Sequence, residues 1–136
     1  GAKLGRPDQT VIDIDGDGSF LMTLPELSTA VDYQVPVKVV ILNNSFQGMV
    51  RQWQEMFYSK RYFATGMRNP DFARVAEAFG AKGLSVHHKD QVRDAIEQML
   101  AEPGPVVLDV RVDPAENVYP MVATGKSLHE IEMGNV

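Results

Sequence analysis

The chain has 136 residues, 44% of them hydrophobic and 23% charged, enough for one domain with a real core. Its net charge of −5 argues against a nucleic-acid or membrane-surface binder, which would present a basic face. The absence of cysteine excludes disulfides and thiolate metal sites, no apolar run approaches the roughly 20 residues of a membrane span, and no signal peptide is visible.

The opening GAKLGRP reads as the tail of a helix, with Gly5 as a left-handed stop and Pro7 just beyond. The expectation is a chain truncated on its N-terminal side, with a partner surface missing. Thr10 to Asp15 follows as an apparently buried strand, Asp13 and Asp15 sharing one face. In TLPELSTAV, Thr23 and Glu26 have capping-box spacing, and Leu24, Leu27 and Val31 recur with helical period, predicting a helix over 24–32. The nearly unbroken run Val37 to Leu42 predicts a strand covered on both faces. QGMVRQWQEMFY predicts a helix with Met49, Val50, Trp53, Met56 and Phe57 in one stripe, which by patterning alone is a packing stripe.

Residues 59–68 read as irregular, and the basic side chains Arg51, Lys60, Arg61 and Arg68 as a solvated face. Asn69 caps the next predicted helix, Pro70 opens it, Phe72, Val75, Ala76 and Phe79 face inward, and Gly80 ends it. A short strand over 82–86, an amphipathic helix over 90–100 and a strand over 105–112 follow, and 113–136 reads as a tail or lid. Strands and helices alternate four times, which predicts an α/β fold with a doubly wound parallel sheet. His87, His88 and His129 lack metal-binding spacing and read as structural or surface groups.

Two strand ends carry the chemistry. IDGDGSF places Asp17 between Gly16 and Gly18, and ILNNSFQGM places Asn44 after the next strand. One strand–helix–strand unit separates them, so both reach one crevice if the strands are neighbours. A carboxylate and an amide oxygen are hard ligands suited to Mg²⁺ or Ca²⁺, and phosphate oxygens commonly complete a Mg²⁺ shell. The glycines let a ligand approach the backbone, Ser19 adds a hydroxyl and an N–H, and the helix start over 45–49 attracts phosphate. Without a lysine, the metal must neutralise most of the phosphate charge. The plain alternatives are an Asp-Gly turn and an Asn-Asn helix cap. GxxxxGK[ST] and GxGxxG are both absent.

GDGSF followed at this interval by NN resembles the thiamine diphosphate fingerprint. NNSFQGMVRQWQEMFYSKRY, with TLPELSTAV and YPMVATGKSL, is similar to the acetohydroxyacid synthase (acetolactate synthase) large catalytic subunits over essentially the whole chain. The resemblance implies a thiamine diphosphate-binding fold, the C-terminal diphosphate- and Mg-binding domain over 1–136, and an enzyme that decarboxylates pyruvate and condenses the two-carbon unit with a second 2-oxo acid. It implies Asp17, Asn44 and the backbone carbonyl of Phe46 as metal ligands. Gly16, Gly18, Ser19, Asn44, Gln47, Gly48 and Met49 would line the cofactor, although Gln47 equally suits a first helical turn. Met49, Val50 and Trp53 would shape the substrate pocket.

No catalytic residue is expected in this chain, because the family's activating Glu lies on another domain, and FAD is bound mainly outside it. The expected partners are 2-oxo acids, a homodimer or tetramer that admits a regulatory subunit, and neither nucleic acid nor membrane. The expected compartment is the cytoplasm, or a plastid or mitochondrion in a eukaryote. Alone, the chain is expected to be inactive. Competing readings are another thiamine diphosphate-dependent 2-oxo acid decarboxylase or oxidase, a Mg-binding receiver-like module, and a non-catalytic assembly domain.

Overall fold

In the computed structural model, which describes residues 1–134, the hydrophobic run of the second strand explains the architecture. Strand β2 (Lys38–Asn43) lies between β1 (Ile12–Gly16) and β4 (Val106–Arg111), and β3 (Lys82–Val86) flanks β4 on its other side. The order is β1-β2-β4-β3 and every pairing is parallel, as the strand–helix alternation predicts. Side chains alternate across a strand, so register assigns each residue to a layer. Val39, Ile41 and Asn43 share a face with Val107 and Asp109, and with Asp13 and Asp15 of β1.

Three helices cover that face: α2 (Asp17–Thr23), α3 (Glu26–Asp32) and α5 (Phe72–Phe79). Phe20, Leu27, Phe72 and Ala76 pack there against Val39, Ile41 and Val107, with Phe20 edge-on to Phe72 at 5.7 Å. Gly83 permits the close approach of β3 to α5, since a Cβ there would lie 2.1 Å from the Ala73 carbonyl oxygen. On the opposite face, α6 (Val92–Ala101) packs Ala95 and Met99 against Val86, Val106 and Leu108.

That second cover does not extend over β1. Ile14 is 69% exposed, and Ile12 and Leu42 are also exposed, so β1 is an edge strand open on one side and not the buried strand its composition suggests. Asp13, on the other face of the same edge, is itself solvent-exposed.

Four local expectations are corrected. Gly5 ends α1 (Ala2–Gly5) without a left-handed conformation; the chain leaves through Arg6 at φ −135°. The expected helix over 24–32 is present as α3 from Glu26 to Asp32, but an unexpected helix, α2, precedes it, beginning at Asp17 directly after β1. Thr23 therefore closes α2 and its hydroxyl donates back to the Ser19 and Phe20 carbonyls, so no capping box forms and α3 opens on Pro25. Asp71, and not Asn69, caps α5, accepting from the Arg74 N–H at 3.1 Å. In α4 (Gly48–Phe57) the buried residue is Gln52, whereas Met49, Val50 and Phe57 stand about half-exposed: the apolar stripe faces open space and not a core.

Gln52, 1% exposed, clamps the tail. Its Nε2 donates to the Val118 carbonyl at 2.9 Å and its Oε1 accepts from the Val118 N–H at 2.8 Å. Beyond Val118 the chain forms a short antiparallel pair, β5 (Met121–Val122) with β6 (Ile131–Glu132). Among the described residues, no helix is long and apolar enough to cross a membrane.

Candidate metal and diphosphate site

The site begins where β1 stops. Asp17, 2% exposed, opens α2, and its carboxylate ties that turn to the loop after β2. Oδ1 accepts from the Gly18 N–H at 3.0 Å; Oδ2 accepts from the Ser45 N–H at 2.8 Å and from Asn69 Nδ2 at 2.5 Å. A carboxylate has about four lone-pair sites. These three bonds leave one, on Oδ1.

Asn44 is arranged alike. Its Oδ1 accepts from the Phe46 N–H at 3.0 Å and keeps one lone pair. Phe46 pairs with Gly66 in an isolated antiparallel bridge, but the bridging hydrogen bonds run from Gln47 N–H to Thr65 C=O and from Met67 N–H to Ser45 C=O, both 2.8 Å. The Phe46 carbonyl is not used by them. One carboxylate, one amide and one backbone oxygen thus retain accepting capacity in a single loop cluster, a donor set that fits a hard divalent cation.

Asp17, Asn44 and Phe46 all line one cavity of about 630 Å³. Gly16, Gly18 and Ser19 form one side of it, and Gln47, Gly48, Met49 and Val50 another. The glycines are needed for space. A Cβ on Gly48 would lie 3.0 Å from Asn44 Nδ2, and one on Gly18 would lie 3.3 Å from Met67 Sδ. Neither N-cap residue, Gly16 of α2 or Gln47 of α4, makes a side-chain cap bond; Asp17 takes the Gly18 N–H, and the Ser19 N–H and those opening α4 remain for an anion. The Ser19 hydroxyl is engaged, donating to Asp15 Oδ1 and, at 3.3 Å, to the Gly16 carbonyl, which leaves its N–H as its contribution. No Lys or Arg among the described residues lines this cavity, so it lacks the lysine that a receiver module needs.

Trp53 lies elsewhere. With Gln54, Tyr58 and Arg61 it lines a second cavity of about 500 Å³, and Val50 borders both. Trp53 also packs edge-on to Phe57 at 5.6 Å. The three histidines are exposed, and no group of three or more His, Asp or Glu side chains able to hold a metal occurs among the described residues.

Beneath the loop lies a polar network that sequence reading missed. Ser45 sits at φ +59°, a left-handed conformation costing a non-glycine residue about 1–2 kcal/mol. Its N–H is shared between Asp17 Oδ2 and Asn43 Oδ1, and its Oγ donates to Asn43 Oδ1 at 3.3 Å and accepts from Arg111 Nη1 at 3.2 Å. Asn43 Nδ2 donates to Asp109 Oδ1 at 2.9 Å, and Asn69 Nδ2 also donates to Asn43 Oδ1 at 2.9 Å.

Burial pushes the Asp109 carboxyl above its usual range, against the opposing pull of the Asn43 hydrogen bond and the Arg111 guanidinium. A legible signal existed for Asp109, an acid inside an apolar strand run. For Asn69 there was none beyond its capping chemistry. Nearby, the Arg51 guanidinium stacks on the Phe46 and Tyr62 rings at 5.4 and 5.0 Å and pairs with Glu55 at 3.5 Å. The Tyr62 hydroxyl donates to that carboxylate, which holds Glu55 below its usual range.

Residues 1–110 match the family model described as thiamine pyrophosphate enzyme, C-terminal TPP binding domain. The chain is 51% identical over 130 residues to the mitochondrial acetolactate synthase catalytic subunit of Saccharomyces cerevisiae, covering 96% of this chain and 19% of that protein. It is 47% identical over 132 residues to the acetolactate synthase isozyme 2 large subunit of Escherichia coli, covering 96% and 24%. A solved thiamine diphosphate-dependent 4-hydroxybenzoylformate decarboxylase from Rhodococcus jostii superposes with a TM-score of 0.77 at 30% identity, over 82% of this chain and 21% of that one. The chain thus spans about a fifth to a quarter of the length of the curated relatives it matches. With the parallel sheet and paired strand ends, the match over most of its length establishes that this chain belongs to the C-terminal TPP-binding domain family of thiamine pyrophosphate enzymes.

Proposed function

We propose that the chain is the diphosphate- and Mg²⁺-binding part of an acetolactate synthase, an enzyme that decarboxylates pyruvate and joins the two-carbon unit to a second 2-oxo acid, giving acetolactate or acetohydroxybutyrate. The observation carrying this reading is that Asp17, Asn44 and Phe46 line one cavity with unused oxygen lone pairs. The names of the yeast and bacterial relatives support the choice of reaction.

When bound, thiamine diphosphate supplies the electron sink for decarboxylation and carbon–carbon bond formation. The chain's own residues bind and orient it. Asp17 Oδ1, Asn44 Oδ1 and the Phe46 carbonyl would hold Mg²⁺, which would neutralise the diphosphate in a cavity that no Lys or Arg among the described residues lines. Gly16, Gly18 and Gly48 leave room for the diphosphate, and Ser19 and Met49, in the opening turns of α2 and α4, offer N–H groups. Gln47, exposed at the start of α4, borders the same space. Met49, Val50 and Trp53 shape the acceptor pocket, with Val50 at the junction of the two cavities.

On this reading the activating Glu and most of the FAD site belong to other domains of the full enzyme, a homodimer or tetramer that admits a regulatory subunit. The compartment is the cytoplasm, or an organelle as in the yeast relative's name.

The test is Mg²⁺-dependent thiamine diphosphate binding to the full-length polypeptide bearing this chain, with product analysis on pyruvate. Asp17→Ala and Asn44→Ala should each abolish Mg²⁺-dependent binding; wild-type binding by both would refute the site. The 30% identity to a decarboxylase structure favours one second reading, in which free aldehyde replaces acetolactate as product.

A further inference from the structure

Resting on the reading of Asp17 as a cation ligand, we infer that Asn69 is a positioning residue of the site: it holds the Asp17 carboxylate in its metal-accepting orientation. Asn69 lies 52 positions from Asp17 in sequence, and the isolated bridge between Phe46 and Gly66 brings it over the loop. Its single amide nitrogen donates to Asp17 Oδ2 at 2.5 Å and to Asn43 Oδ1 at 2.9 Å. Both N–H bonds of that amide are therefore committed.

The direction of the amide is fixed from below. The Ser45 N–H can only donate and points at Asn43 Oδ1, so Asn43 turns its oxygen toward Ser45 and Asn69 and its Nδ2 toward Asp109. Asn69 must then present nitrogen, and not oxygen, to both neighbours. The consequence is visible at its other atom: Asn69 Oδ1 is buried and finds no hydrogen-bond donor among the described residues. Buried acceptors are rarely left unpaired, and one that is needs an explanation. A cap on α5 is not that explanation, because Asp71 performs it. Orientation of Asp17 is: with Ser45 N–H, the amide saturates Oδ2 and directs the carboxylate's remaining lone pair to Oδ1. Partners of ligating carboxylates act in this manner, and their loss typically weakens metal binding roughly tenfold to a hundredfold.

The test uses Mn²⁺ as the probe, read by electron paramagnetic resonance with thiamine diphosphate present, on the full-length polypeptide. Asn69→Leu, similar in volume but without donors, should weaken Mn²⁺ binding roughly tenfold to a hundredfold and broaden the bound-ion spectrum, because a carboxylate with two settings gives two coordination environments. Asn69→Ser, whose one O–H can serve one acceptor, should fall between. If Asp17→Ala abolishes binding while both Asn69 variants keep wild-type affinity and line shape, even at reduced thermal stability, the positioning role is overturned and the site reading stands. If Asp17→Ala itself binds Mn²⁺ normally, the site reading fails and the inference with it. Should Asn69→Leu not fold, Asn69→Ser decides alone: wild-type affinity overturns the role, and weakened binding with a broadened spectrum supports it.

Discussion

Gly48→Ala should move stability and cation affinity in opposite directions. Gly48 is the first residue of α4 and has no positive φ, so alanine fits the backbone. Replacing glycine by alanine in a helix stabilises it by up to about 1 kcal/mol. The new methyl, however, would stand 3.0 Å from Asn44 Nδ2, whereas ordinary contact begins at 3.4 Å. The amide must therefore retreat by roughly 0.4 Å, twice the tolerance of about 0.2 Å on metal–ligand distances. It cannot slide freely, because its other end is held by the Phe46 N–H at 3.0 Å. Mg²⁺ demands near-ideal octahedral geometry, so we expect binding weakened by roughly tenfold, about 1.4 kcal/mol. Titration calorimetry of Mg²⁺ with thiamine diphosphate, beside a thermal melt of the cofactor-free protein, reads both effects. A melting temperature at or above wild type with unchanged Mg²⁺ affinity would refute the assignment of Asn44 as a ligand held against Gly48.

The network and scaffold give further tests. Asp109 has a raised carboxyl pKa in the folded chain, so the native state keeps its proton longer than the unfolded state does. Its contribution to stability therefore declines as pH rises from about the ordinary 3.8 through the folded value, and is flat above. Asp109→Asn keeps an acceptor for Asn43 and removes the charge, so its melting temperature relative to wild type should be higher at pH 7 than at pH 4; a constant difference would contradict the burial argument. Gly83→Ala forces a methyl to within 2.1 Å of the Ala73 carbonyl oxygen and should destabilise by roughly 3 kcal/mol or more in urea denaturation. Gln52→Ala strands the Val118 N–H and carbonyl, at about 1–3 kcal/mol, and should release the tail. Limited proteolysis should then cut within 113–134 well before the sheet.

Much of the scaffold was legible because its signals are local. Strands β2 and β4 are continuous apolar runs, and α5 and α6 carry apolar residues at helical spacing, so neither needs a partner to be recognised. Helix α2 was not legible. Its first residues, Asp-Gly-Ser, are poor helix formers, and its distant supports are the Ser45 and Asn69 donors and the packing of Phe20 on Phe72. The stripe of α4 shows the limit of periodicity: Met49, Val50 and Trp53 share a face, but the pattern does not say whether that face meets a core or a cavity. The same limit misled the reading of β1, whose β-branched composition is silent on what covers it. At the site, Asp17, Asn44 and Phe46 were suggested by a motif, whereas Asn43 reaches Asp109 only once β2 lies beside β4, and Asn69 reaches Asn43 and Asp17 only once the segment before α5 folds over the loop.

On the proposed reading of the site as a cation centre, that register makes it a checkpoint on assembly. Asn43 meets Asp109 only because both project into the same layer, next to Ile41 and Val107. A slip of β2 by a single residue would swing Asn43 to the opposite layer and bring Leu42 under the loop. Ser45 would then lose the acceptor helping to hold its unfavourable backbone, and Asp17 would lose the footing of its amide neighbour. A mispaired sheet would thus be unable to load the ion, and ligand loading would certify that the strands have been threaded correctly.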